Sequence, residues 1–163
     1  MSELTFYKRL LIDIKQRIRQ AQTKAILSAN SELITMYWDI GKMLVEKRKV
    51  AGWGAAVIPR LSKDIRNELP EIKGFSERNI GYMIRFAREY GTSILQQPVA
   101  KLPEQALLAG IPWGHHCLLI EKIKDVLVRF WYMEQTATNG WNRETLAAMI
   151  KSDQYCQRHC TQI

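Results

Sequence analysis

The chain has no long apolar run. Its longest uncharged stretch, Gln105 to Ile120, is interrupted by Gly110, Pro112, His115 and His116, so it is too broken to be read as a membrane span. The opening residues carry Glu3, Lys8, Arg9 and Asp13, which leaves no room for the apolar core of a signal peptide. Cysteine is scarce as well. Cys117, Cys156 and Cys160 are odd in number and lack framework spacing, which argues against a disulfide scaffold and fits a reducing compartment; a soluble cytoplasmic protein is the expectation. Glycine and proline are absent before Gly41, so nothing local breaks a helix over the first quarter of the chain.

What is present is apolar content sufficient for a core, 47% of 163 residues, together with an excess of base: 24 Lys and Arg against 16 Asp and Glu, or +8. The length suits one domain. The excess is uneven. Residues 1–41 carry six basic and four acidic groups, residues 42–90 eleven and six, and residues 91–163 seven and six, so the central stretch holds +5 of the +8. A cluster of this kind attracts phosphate backbones in a salt-dependent way, although a solvated cationic face serves solubility equally well.

The apolar periodicity is helical throughout and predicts an all-α fold. Leu4, Tyr7, Leu11, Ile14, Ile18, Ala21 and Ala25 step by threes and fours, and the pattern continues through Ala29, Leu33, Met36, Ile40 and Leu44. This predicts one long scaffold helix over residues 3–48, with a kink near Ser28 to Ser31 or none, whose seam packs either on later helices or on a second copy. Trp38 lies off the seam and would cover the junction. Two glycines flank Trp53, which reads as a loop pinned by a buried indole.

Residues 54–90 then read as a helix-turn-helix-like unit of winged-helix-related type. A first helix from Gly54 to Leu69 turns Ile58, Leu61, Ile65 and Leu69 inward, with Pro59 tolerable only in its first turn. Pro70 and Gly74 bracket the turn, and Ser76 is placed to cap a second helix ending near Gly91. Phe75 before the cap and Ile80 four residues after it have staple-like spacing. Ile80, Met83, Ile84 and Ala87 form a core stripe, which leaves Arg78, Tyr82, Arg85 and Glu89 on one exposed line and Asn79 and Phe86 on another. The start of such a second helix enters the major groove, where Arg suits guanine and Asn suits adenine. Arg78, Asn79 and Tyr82 are therefore the candidate base contacts, and Arg60, Lys63, Lys73 and Arg85 the candidate phosphate contacts.

Downstream, Gln96 to Lys101 is a connector, and residues 102–152 form a helical C-terminal lobe. Its helices are expected over Leu102 to Gly110, after Pro112, over Val126 to Thr138 and from Asn142 onward. Trp141, Asn142 and Leu146 repeat the spacing of Phe75, Ser76 and Ile80, which hints at a second unit of the same kind. His115 and His116 are adjacent and point in different directions on a helix, so structural roles are favoured over metal binding. Cys156, His159 and Cys160 lack a second ligand pair, and residues 153–163 are expected to be a frayed tail. No cofactor or metal is called for.

Several separated blocks carry a family likeness: Asn30, Tyr37, Trp38 and Gly41; Trp53, Gly54 and Leu61 to Ser62; Gly74 to Asn79; and Trp113 with His115. In this order they resemble the N-terminal domain of the YhcG family of bacterial proteins, over residues 1–152. The resemblance implies a helical domain that binds DNA and is usually followed by a nuclease domain of the PD-(D/E)XK type. It implies an arginine two residues after the second cap, where this chain has Glu144 with Arg143 beside it. The chain stops where that nuclease domain would begin, and the one local mimic of its acid-x-Lys group, Glu71 to Lys73, sits in the inter-helix turn without strand-like surroundings. The expectation is therefore a noncatalytic module for duplex DNA, working beside a nuclease domain or subunit. The alternative is a helical protein-interaction or homo-oligomerisation module using the long seam with Tyr82 and Phe86.

Overall fold

The computed structural model describes residues 3–51, 54, 56–95 and 102–160. Among them all regular structure is helical: α1 (Glu3–Ala51), α2 (Val57–Glu68), α3 (Glu77–Leu95), α4 (Leu102–Gly110), α5 (Trp113–Lys122), α6 (Val126–Asn139), α7 (Arg143–Lys151) and α8 (Gln154–His159). Gly52 and Trp53 of the expected loop, and the expected connector Gln96 to Lys101, lie outside the described residues. No helix among the described residues is long and apolar enough to cross a membrane.

α1 is one unbroken helix of 49 residues, about 73 Å long at the usual rise. Its halves differ. Every residue from 3 to 29 is exposed, whereas Ile34, Tyr37, Gly41 and Leu44 are buried against the rest of the chain. The core-facing side therefore follows the expected seam only at Ile40 and Leu44, which pack in the smaller apolar cluster, while Ala29, Leu33 and Met36 remain exposed. The reason is close approach. α1 crosses α3 at Gly41, where a side chain would run into the Met83 carbonyl and the Ala87 methyl, and that crossing turns the Ile34–Tyr37–Leu44 side inward. Gly41 is the one place on this long helix where a missing Cβ is needed.

α3 is the central element, packed by α1, α2, α5 and α6. The expected stripe Ile80, Met83, Ile84 and Ala87 is buried. Phe86, expected on an exposed line and offered as a contact for another chain, is completely buried: it is enclosed by α1 and α5 together, meeting Trp38, Tyr90, Trp113 and His116 edge to face. Two apolar clusters result. One joins α3 to α4, α5, α6 and α7 through Phe86, Tyr90, Leu119, Met133 and Leu146; the smaller one joins Leu44, Ile80 and Ile84 to Ile58, Leu61 and Phe75 of the α2–α3 unit.

The local chemistry of the helix ends follows the expected caps. Pro59 is the third residue of α2, in the turn where an amide has no helical partner. The Ser76 hydroxyl accepts from the Asn79 amide, and Phe75 packs in the cluster of Ile80. Asn142 caps α7 through Thr145, and Gly140 closes α6 at φ 65°. Some boundaries differ from expectation: α2 starts at Val57 rather than Gly54, Leu69 lies beyond its end and is exposed, α3 runs through Gly91 to Leu95, and residues 154–159 of the expected tail form α8. α8 is anchored by Tyr155 and His159 against Trp131, with ring centroids 5.4 and 5.7 Å apart.

Candidate nucleic-acid interface

α2 and α3 are held as a pair by the turn between them. The buried Ser62 hydroxyl donates to the Phe75 carbonyl at 2.7 Å, so α2 grips the segment that starts α3. Gly74 adopts φ 95°, and a Cβ there would meet the Tyr37 hydroxyl, which makes glycine necessary on two counts.

Asn79 completes this junction. Its Nδ2 donates to the Gly74 carbonyl at 2.5 Å and its Oδ1 accepts from the Trp113 indole at 2.7 Å. Tyr37 closes the group, its ring 4.7 Å from that of Trp113; burial pushes its phenol up and a hydrogen bond with Asn79 pulls it the other way. The residue expected to read adenine thus spends both ends of its amide inside the protein, pinning the start of α3 to α5. Asn30 performs a similar stitch, donating to the carbonyls of Ala109 and Ile111. The blocks that carried the family likeness are in this fold largely the seams between α1, the turn, α3 and α5.

Arg78 is different. It is exposed in the first turn of α3, donates to the Tyr82 hydroxyl at 3.2 Å and faces Glu121 of α5 at 3.6 Å. Tyr82 in turn donates to Glu121. Exposed pairs of this type are screened by solvent and contribute little, so they orient a guanidinium without committing it. Arg85 is committed: it pairs with Glu89 at 3.2 Å and donates to the Ile120 carbonyl at 3.0 Å, beside the fully buried Arg129 that also holds Glu89, at 2.9 Å. These contacts place the Arg85 guanidinium at the α3–α5–α6 junction, with the side chain 40% exposed. Arg60 is exposed with Asp64 at 3.7 Å, and Lys63 and Lys73 are exposed.

One cation was undervalued by the sequence. Arg143, in the first turn of α7, lies over Gly114, and both Arg143 and Arg78 draw the Cys117 thiol downward against the burial that pushes it up to about 11. The starts of α3 and α7 therefore deliver an arginine each to the same face of α5. Helix N-termini add partial positive charge of their own. The signal available was the repeated aromatic-cap-aliphatic spacing, which places both arginines just past a cap.

The histidines are structural. His116 is completely buried and its Nε2 meets the Leu108 carbonyl at 2.8 Å, while His115 Nε2 meets the Trp141 carbonyl at 2.9 Å. A carbonyl only accepts, so each Nε2 carries the proton. Burial lowers the His116 pKa to about 4, keeping the ring neutral.

The architecture is thus an all-helical domain in which two helix starts present cations across a third helix. The chain belongs to the DUF1016 N-terminal domain family, whose model matches residues 13–157. It is 26% identical over 174 aligned residues to the Escherichia coli (strain K12) protein named Putative nuclease YhcG. The alignment takes in 91% of this chain and 46% of that protein, in its N-terminal part, so the chain spans about half the length of the curated relative it matches. No solved structure matches it significantly.

Proposed function

We propose that this chain is a noncatalytic DNA-binding module that grips duplex phosphates across the α5 face. The observation that carries the reading is that Arg78, beside Glu121, and Arg143, over Gly114, come from the first turns of two separate helices onto α5, at positions two turns apart. A relative named as a nuclease supports the choice of nucleic acid. In this reading Arg78, steadied by Tyr82, reaches the groove or its rim; Arg143, Lys73, Arg60 and Lys63 meet phosphates; and Asn79 positions the start of α3. Glu121 holds Arg78 in waiting and yields it to a phosphate, which offers a better-matched anion at a small cost in pairing.

The test is fluorescence anisotropy of a labelled duplex titrated with the protein across a salt series. Binding at about 50 mM salt should fall log-linearly, with a slope near −0.9 per neutralised phosphate. Changing Arg78 and Arg143 together to alanine should weaken binding and flatten that slope by about two contacts. No binding at low salt, or an unchanged slope in the folded double variant, refutes the proposal.

A further inference from the structure

The exposed half of α1 carries an apolar stripe that belongs to neither apolar cluster of the described residues. Leu4, Tyr7, Leu11, Ile14 and Ile18 are 43–63% exposed and recur at strict heptad a and d spacing. At 3.6 residues per turn this stripe points roughly 120° away from the core-facing side of the same helix, Ile34, Tyr37, Gly41 and Leu44. α1 is therefore two-faced. The body occupies one side and leaves the other open even alongside itself, where Met36 and Met43 stay exposed on the stripe's line.

We propose that this stripe pairs with the same stripe of a second copy as a parallel two-stranded coiled coil over roughly residues 4–28. The flanking charges select both occupant and direction. Taking Leu4 as a, the g positions are Glu3, Leu10, Arg17 and Lys24, and the e positions are Lys8, Lys15, Gln22 and Ala29. In a parallel pair each g side chain meets the e side chain five residues on in the other copy. Glu3 then faces Lys8, an attractive pair formed twice; Leu10 faces the aliphatic stem of Lys15; Arg17 faces Gln22; and Lys24 faces Ala29. No like charges meet. The centred antiparallel register instead sets Lys15 against Lys15 and Arg17 against Arg17 at the two-fold axis, where repulsion opposes assembly. The stripe from Leu4 to Ala25 extends over just above three heptads, roughly 33 Å, a span at which sustained a and d spacing with charged e and g positions marks a coiled coil. Leu4, Tyr7, Leu11, Ile14 and Ile18 fill its first two and a half heptads, and Ala21 and Ala25 narrow it toward the body.

This inference stands independently of DNA binding. Light scattering on the full chain at high micromolar concentration should give twice the monomer mass, falling to one on dilution. Ile14→Lys should give the monomer mass at every concentration with its circular dichroism thermal transition for the body unchanged, because Ile14 is exposed and belongs to neither apolar cluster of the described residues. Direction is tested in a chain whose three cysteines are serine and which carries Leu4→Cys: oxidation should link two copies through residue 4. A folded protein that stays monomeric at high concentration, a dimer indifferent to Ile14→Lys, or a dimer that Leu4→Cys fails to cross-link overturns the proposal.

Discussion

Acid should weaken this fold through a single ring. His116 is completely buried among Phe86, Tyr90 and Trp113, its Nε2–H donates to the Leu108 carbonyl, and its Nδ1 has no partner. Protonation would create a second N–H with nothing to accept it, inside apolar packing. The folded-state value is accordingly about 4, against about 6.5 for a free imidazole. Between those two values the unfolded chain binds a proton that the native chain refuses. Stability from this group is complete above about pH 6.5, declines as pH falls toward 4, and levels off below; the gap corresponds to ~3 kcal/mol in all, or about 1.4 kcal/mol per pH unit within the window. Urea unfolding followed by circular dichroism between about pH 7 and about pH 4.5 measures it. His116→Gln keeps an N–H for Leu108 and cannot titrate, so it should begin less stable at neutral pH but lose that component of the slope. Parallel curves for the two proteins, in the same buffers, would refute the assignment.

Other substitutions separate structural from exposed positions. Arg129→Ala leaves Glu89 with Arg85 alone and orphans the Ile123 carbonyl, and should cost about 1–3 kcal/mol by urea unfolding. Gly41→Ala gains up to ~1 kcal/mol of helix propensity but drives a methyl into the Met83 backbone, so a net loss of about 1–3 kcal/mol is expected from the same assay. Asn79→Ala orphans the Trp113 indole N–H and the Gly74 carbonyl; a loss of about 1–3 kcal/mol should accompany a shift in tryptophan emission. Ile18→Ser, on the bare stripe, should change the unfolding midpoint of the dilute monomer by less than ~0.5 kcal/mol equivalent.

The helices were legible because their signals are local. The lack of Gly and Pro before Gly41 allows α1, Ser76 and Asn142 supply caps, and Pro112 and Gly140 punctuate as their backbone preferences require. Which side of a helix is covered is not a local property. α3 has neighbours on several sides, so Phe86, off the main stripe, is as buried as Met83 on it. α1 has two apolar stripes, and the more regular one is the one its own body leaves bare. Asn79 and Arg85 are polar residues just beside a core stripe; only the folded chain shows that a tryptophan on α5 and a carboxylate on α3 claim them. Arg129 in the interior had no periodic signature, since its partners sit 40 residues upstream and at the end of α5. Family likeness located the important blocks, while the packing shows how many of them are stitches.

A 40 Å rod on a small helical body also changes how the molecule moves through water. Residues 3–29, about 40 Å of bare helix, add far more friction than mass. The chain should sediment slowly and leave a sizing column early, so that a monomer of 19.0 kDa passes for something considerably larger. Rotational tumbling will be anisotropic as well, slow end over end and fast about the helix axis. A fluorophore near residue 5 and one on α7 would report different correlation times from the same molecule, and their ratio would measure how rigidly the rod is carried.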